Sequence, residues 1–205
     1  VAGEGRTVLF VSHNMAAIET LCENCIYLSK GQIDKRGKTN HVIESYLSSS
    51  NKGNASEKIL NGIIKKITIK NSDGFTSKVF RAGDPLRISI LVDTKDLVID
   101  NPVIGIGLNN SLGTRIFTVG TYFSTKKLMS LRGKNTIECS IPNNNLVPDH
   151  YNIKVALGNS FNENFEEIEN GAEFIIEPSD FFGNGKLPNK KQGIVLMKSH
   201  WIIKK

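Results

Sequence analysis

Short segments in which apolar residues alternate with polar ones dominate the chain from residue 57 onward, and this period constrains the fold more than any other feature. A two-residue period places one face of an extended segment in a core, which is typical of a half-buried β-strand. Turn residues separate eight such segments: 66–70, 86–93, 103–108, 114–121, 137–141, 151–157, 172–177 and 193–203. Short strands at this spacing predict an immunoglobulin-like antiparallel β-sandwich.

The segment 103–108 shows the alternation in a simple form. Ile104, Ile106 and Leu108 face one way, and Gly105 and Gly107 face the other. The three branched residues are therefore predicted to enter the core.

A tyrosine supports the immunoglobulin-like assignment. In the stretch 146–151, Tyr151 opens a predicted strand two residues after Asp149. In a tyrosine corner the phenol donates a hydrogen bond to backbone a few residues upstream and fixes the crossover between the two sheets. We expect Tyr151 to form such a corner, and the alternative is an ordinary edge tyrosine.

The first part of the chain follows a different pattern. Residues 7–11 are a continuous apolar run that predicts a buried strand, and a helical stripe follows it. A short hairpin over residues 25–36 and a second helix complete this part. Ser, Gly and Asn then dominate residues 48–56, which predicts a flexible linker. We therefore expect three regions: an α/β segment 1–47, a linker 48–56 and a β-sandwich 57–205.

Charge and hydropathy exclude several classes of protein. The net charge is +6, but the lysine pairs are scattered and not interleaved with aromatic residues, so we do not expect a nucleic-acid partner. No apolar run approaches the roughly 18 residues of a membrane-spanning helix. Residues 1–6 have neither a basic region nor an apolar stretch, so we expect no secretory signal. Because the first residue is Val1, we expect the chain to begin within a longer protein.

The three cysteines do not predict a site. Their odd number argues against a disulfide framework. Cys22 and Cys25 have C-x-x-C spacing but fall at the end of a helix-like run, whereas a reactive thiolate is favoured at a helix start. A zinc site needs two further ligands, and Cys139 lies far along the chain. We predict no metal site.

Several stretches resemble a known family. The run from Gly5 to Met15 resembles the last strand and switch-histidine region of an ABC transporter ATPase, and residues 27–33 resemble the hairpin that follows it. Residues 42–47 resemble the closing helix of polysaccharide exporters. The linker and β-region resemble the C-terminal domain of Wzt-type ATPases, which export O-antigen; the stretches with counterparts there are 81–84, 109–114, 146–151 and the segment ending at Trp201.

The resemblance also shows what this chain lacks. No G-x-x-x-x-G-K-[ST] motif, acidic strand end or signature loop occurs in it. Phosphoryl transfer needs positioned phosphates and a metal ion, so we expect no enzyme activity from this chain alone and no cofactor in it. By resemblance, Mg-ATP would bind the complete parent protein, and His13 would be its catalytic switch histidine.

The resemblance implies that the β-sandwich binds the finished polysaccharide. Sugars are held by hydrogen bonds and by apolar contact with flat side chains. The candidate carbohydrate-binding residues are polar outward positions of adjacent strands and loops: Asn109, Asn110, Arg115, Tyr122, Asn152, Lys154 and Asn159. Arg115 and Lys154 gain a specific role if the glycan carries phosphate or carboxylate. Trp201 shares a side with Val195 and Ile203, and we predict it to be core or dimer interface rather than a sugar platform.

The resemblance further implies the setting of the protein. The expected partners are the O-antigen polysaccharide, the membrane-spanning permease subunit and a second copy in a homodimer. The expected location is cytoplasmic, at the inner membrane of a Gram-negative bacterium. An alternative function remains open: a dimerisation or regulatory tail of an ABC ATPase that acts through protein contacts only.

Overall fold

The computed structural model describes residues 8–12, 15–50, 56–123, 129–161, 163–189, 191 and 193–203. The chain divides into two compact units. Residues 1–53 and 111–114 belong to the first, and residues 54–110 and 115–205 belong to the second.

The first unit contains two helices and a hairpin. Its elements are α1 (Met15–Leu21), β1 (Asn24–Ser29), β2 (Gln32–Lys38) and α2 (Thr39–Ser50). Lys30 and Gly31 both have positive φ angles, 51° and 79°, which suits the tight two-residue turn between β1 and β2. The predicted hairpin and helices are confirmed. None of the helices in the described ranges is long and apolar enough to cross a membrane.

The strand predicted at residues 7–11 is wrong over the part that the structure describes. Residues 8–12 have no regular structure, and Leu9 and Val11 are 90% and 95% exposed. An apolar run of this kind becomes a strand only when neighbouring strands pair with it and layers cover both of its faces. No strand in the described ranges pairs with it.

The predicted linker also needs a correction. Helix α2 continues to Ser50, so the last three helical residues fall within the segment 48–56. Serine is tolerated in a helix, especially near an end, which explains why the change in composition does not stop the helix at residue 47. Residues 51–55 lie outside the described residues.

The second unit is a mainly β sandwich of two sheets. The strands in its described residues are β3 (Glu57–Ile59), β4 (Ile64–Lys70), β5 (Val79–Arg81), β6 (Leu86–Ile99), β7 (Pro102–Asn110), β8 (Arg115–Gly120), β9 (Leu131–Ile141), β10 (Asp149–Asn159) and β11 (Asn164–Glu177). One sheet has the order β5-β11-β10-β7-β8, and the other has the order β3-β4-β6-β9. The predicted immunoglobulin-like sandwich is confirmed, except that β5 pairs with β11 in parallel.

The core lies between the two sheets and follows the predicted alternation. Ile104, Ile106 and Leu108 of β7 are at most 4% exposed, as are Ile153 and Val155 of β10. Their neighbours along each strand point outward. The inner faces of β4 and β6 supply the opposite side of the same core.

The eighth predicted strand, residues 193–203, is wrong. This segment forms one isolated β-bridge, between Val195 and Leu146. Its buried residue is Leu196, which is 2% exposed. Trp201 is 92% exposed, so it is not part of the core of this chain. The segment alternates in sequence, but in the described ranges it pairs with no strand beyond the bridge at Val195.

Tyr151 forms the predicted tyrosine corner. Its hydroxyl donates a 2.8 Å hydrogen bond to the carbonyl of Val147, and the residue is 2% exposed. Its ring stacks on Phe174 of β11, with centroids 5.5 Å apart. Burial and, secondly, the charge of Asp149 raise the pKa of the Tyr151 hydroxyl far above its ordinary value.

Tyr151→Phe should lower the free energy of unfolding by about 1–2 kcal/mol, because it leaves the buried Val147 carbonyl without its donor. Urea unfolding of the full chain measures this change. Tyr122→Phe is the matched control, since Tyr122 is 53% exposed, and it should leave the stability unaltered.

The same pair of proteins gives a pH dependence. The folded protein keeps Tyr151 protonated because its pKa is raised, whereas the unfolded chain ionises it near the ordinary tyrosine pKa of about 10. The stability difference between wild type and Tyr151→Phe should therefore be complete below about pH 10 and shrink as the pH rises above it. A difference that stays constant or grows in that alkaline range contradicts the buried corner.

Candidate functional site

A groove of about 340 Å³ lies on the outer face of the sheet formed by β10, β7 and β8. The start of β11 and the 3-10 helix Thr121–Phe123, which follows β8, complete its walls. The groove lies on the side of β7 opposite the core. It exists because the outward positions in its floor carry almost no side chain.

The floor consists of small residues in register on neighbouring strands. Gly105 of β7 pairs with Gly120 of β8 and with Ala156 of β10, and Gly107 lies two residues along β7. Glycine weakens a strand, and its presence inside one often marks a place where another group approaches the backbone closely. Two side chains make that approach here, Arg115 and Tyr122.

Arg115 lies flat on the strand at Gly107. A Cβ atom built on Gly107 would stand 2.0 Å from Nη1 of Arg115, so only glycine leaves room for the guanidinium. Nε of Arg115 donates a 2.6 Å hydrogen bond to Oδ1 of Asn109, and Nη1 donates one of 3.0 Å to Oγ1 of Thr118. Asn109 in turn donates to Oδ1 of Asn152 across the strands at 3.3 Å. The guanidinium is thus held in one place by a row of polar side chains.

The ring of Tyr122 lies over Gly120, the floor residue contributed by β8. A Cβ atom on Gly120 would stand 2.2 Å from Cε1 of the ring. Thr121 anchors the 3-10 helix, because its Oγ1 accepts a 3.0 Å hydrogen bond from the backbone N–H of Ile104. The Tyr122 ring is half exposed and forms a flat apolar wall of the groove.

Lys154 of β10 stands opposite Gly107 and is paired with carboxylates. Its Nζ contacts Glu167 and lies 2.7 Å from Oε1 of Glu169. Both carboxylates reach it because the register of β11 shifts beside Lys154, forming a bulge. Hydrogen bonds to Glu167 and then Glu169 raise the pKa of Lys154, and the bond from Lys154 lowers the pKa of Glu167.

The far end of the groove is closed by the turn between β10 and β11. Oδ1 of Asn159 accepts hydrogen bonds from the backbone N–H groups of Phe161 and Glu163, at 2.9 and 3.1 Å. Its Nδ2 donates to Oε2 of Glu163 at 2.6 Å. Asn159 therefore stabilises this turn, and the carboxylate of Glu163 places a negative charge at this end of the groove.

The structure brings most of the predicted site residues together. Arg115, Tyr122, Lys154 and Asn159 line the groove. Asn109 and Asn152 hold Arg115 from one side. Asn110 is 7% exposed and lies on the core side of β7, away from the groove. His13 lies outside the described residues.

Sequence reasoning missed the floor and the acidic partners. Gly105 and Gly107 were recognised as outward-facing, and two outward glycines in one strand are the signal that could have located the groove. Glu167 and Glu169 gave no such signal, because a strand bulge brings them to Lys154. Among the described residues, no group of three His, Cys, Asp or Glu side chains could hold a metal ion.

Gly107→Ala should displace the guanidinium of Arg115 and break its bonds to Asn109 and Thr118, because the new methyl group would occupy its place. The Nε–H resonance of Arg115 in a ¹⁵N NMR spectrum reports this displacement. Gly105→Ala is the matched control on the same face of β7, since its Cβ would lie 3.9 Å from the nearest atom. An unmoved Arg115 resonance in Gly107→Ala would refute the description of the floor.

Comparisons with known proteins agree with this architecture. The family model described as Wzt C-terminal domain matches residues 60–191, and a search of curated protein sequences found no match. A solved structure titled "Crystal structure of the C-terminal domain of wzt" aligns with a TM-score of 0.51 and 14% identity, covering 74% of this chain and 86% of that chain. This identity is low, so the structural match shows the fold alone. The match to the family model extends over most of the chain, and the chain belongs to the Wzt C-terminal domain family.

Proposed function

We propose that the groove on β7, β8 and β10 binds a carbohydrate chain. The observation that carries this proposal is its glycine floor, on which Tyr122 and Arg115 both lie flat. A ligand can therefore lie on the flat surface that these two side chains form over the strands. A sugar ring has one apolar face and a rim of hydroxyl groups, so it suits such a surface.

The surrounding side chains supply the polar contacts that a sugar needs. The edges of the groove carry amide, hydroxyl and charged side chains. Asn109, Thr118 and Asn164 can each donate or accept hydrogen bonds to sugar hydroxyls. The Tyr122 ring offers an apolar face with a hydroxyl at its edge.

We further propose that the ligand is a cell-surface polysaccharide, such as an O-antigen, exported by an ABC transporter. Family membership and the resemblance of residues 5–15 and 27–33 to an ABC ATPase support this proposal. In it, the chain works in the cytoplasm beside the membrane-spanning permease subunit, as a homodimer. The phosphate-binding motif is missing from the sequence, and His13 lies outside the described residues.

A second candidate function is a tail that acts through protein contacts only. The exposed apolar residues at the end of the chain favour it: Trp201, Ile202 and Ile203 are 92%, 81% and 94% exposed. The two functions differ in the surface they use, since these residues do not line the groove.

Tyr122→Ala should weaken binding of the polysaccharide about fivefold, because stacking on an aromatic ring contributes about 0.5–1.5 kcal/mol. Isothermal titration of the full chain with surface polysaccharide purified from the cells that produce it measures this change.

Phe75→Ala is the matched control, because Phe75 is 72% exposed and lies in the loop between β4 and β5. It should bind as tightly as the wild type. Equal losses in both variants, or no binding by the wild-type chain, would argue against the groove as the binding site and favour the second candidate.

A further inference from the structure

The two cationic side chains of the groove, Lys154 and Arg115, differ in whether a carboxylate neutralises their charge. Lys154 is paired with Glu167 and Glu169, so that cluster carries a net negative charge. Arg115 bonds to an amide and a hydroxyl, which are both neutral. Within the described part of the chain, no carboxylate forms an ion pair with Arg115.

The position of Arg115 prepares it to bind an anion. A guanidinium has five N–H donors, and the bonds to Asn109 and Thr118 use two of them. Those bonds and the contact with Gly107 fix its plane before any ligand arrives. Among the described residues, none accepts a bond from the other N–H groups of Nη1 and Nη2, and Arg115 is exposed. These groups form the fork that matches two oxygens of a carboxylate or phosphate.

The rest of the groove opposes an anion. Glu163 stands at the end away from Arg115, and Glu167 and Glu169 stand beside Lys154. A negatively charged group placed there would face like charges at close range, which costs binding energy. Arg115 therefore places a positive charge on the β8 side of the groove, whereas carboxylates lie beside Lys154 and at the turn between β10 and β11.

We propose that Arg115 selects a glycan bearing an oxyanion, a carboxylate or phosphate on a sugar residue, and orients it with that group at the β8 end of the groove. This inference rests on the proposed carbohydrate function and deepens it. Arg115 is the specificity-determining residue, and Lys154 is not, because its charge is already matched.

The test compares small sugars that differ only in the charged group. Methyl glucuronoside supplies a carboxylate, glucose 6-phosphate supplies a phosphate, and methyl glucoside is the neutral control. NMR titration of the full chain follows the backbone amide resonances of Gly105 and Gly107, which are present in every variant, and gives a Kd for each sugar. At least one of the two anionic sugars should bind about tenfold more tightly than methyl glucoside, because it would accept a charge-assisted hydrogen bond from Arg115 that the neutral sugar does not form.

Variants assign the effect to Arg115. Arg115→Gln should remove the preference for the anionic sugars, so that methyl glucuronoside, glucose 6-phosphate and methyl glucoside bind with similar Kd values, and Arg115→Lys should retain part of the preference. Arg87→Gln, which removes an exposed arginine of β6 in the other sheet, should change nothing. Carboxylate and phosphate are told apart by which of the two sugars shows the larger preference.

Equal affinity for charged and neutral sugars, a preference that survives Arg115→Gln, or no binding of either anionic sugar at tens of millimolar would each overturn the inference. The proposed function fails separately. If the purified polysaccharide still binds through Tyr122 while these sugars show no charge preference, the carbohydrate function stands and only the role of Arg115 is rejected.

Discussion

The two-residue period of β7 is the constraint on which both the core and the candidate site depend. Ile104, Ile106 and Leu108 fill the space between the sheets, and the intervening Gly105 and Gly107 form the floor of the groove. Shifting the register of this strand by one residue would exchange the two faces. It would place glycine in the core and branched side chains on the surface, so the packing that stabilises the sandwich also fixes the site.

The glycines of the groove floor lower the stability of their strands, but they leave space over the backbone that a residue with a Cβ atom would fill. A glycine within a strand costs roughly 0.5–1 kcal/mol relative to alanine. At Gly107 and Gly120 the missing Cβ atoms let Arg115 and Tyr122 lie against the backbone. The buried core, including the Tyr151 corner and its stack on Phe174, offsets this cost.

Much of the sandwich could be predicted from the sequence because its strands are half-buried and show a clear alternation. Residues 103–108 and 151–157 are examples, and the corner at Tyr151 came from a local pattern. The hydrophobic pattern predicted strands wrongly where strand formation depends on pairing with a neighbouring strand. The apolar run at residues 8–11 and the alternating segment 193–203 need partner strands to become strands, and local sequence does not say whether these are present.

The candidate site was predictable in part for the same reason. Outward polar positions such as Arg115 and Lys154 follow from strand periodicity. The same period places Asn110 on the core side, because it continues the series of Ile104, Ile106 and Leu108, so its prediction as a site residue did not follow the pattern. The sequence did not predict that Lys154 pairs with carboxylates whereas Arg115 bonds to neutral groups, because the bulge in β11 determines which carboxylates reach which cation.

Mapping backbone amide shifts of the full chain during titration with the purified polysaccharide tests the central claim most directly. If the groove binds the polysaccharide, the largest shifts should cluster on the outward face of β7, β8 and β10, at Gly105, Gly107 and Gly120 and at Tyr122. Shifts confined to residues 195–203, or no shifts at saturating polysaccharide, would contradict it.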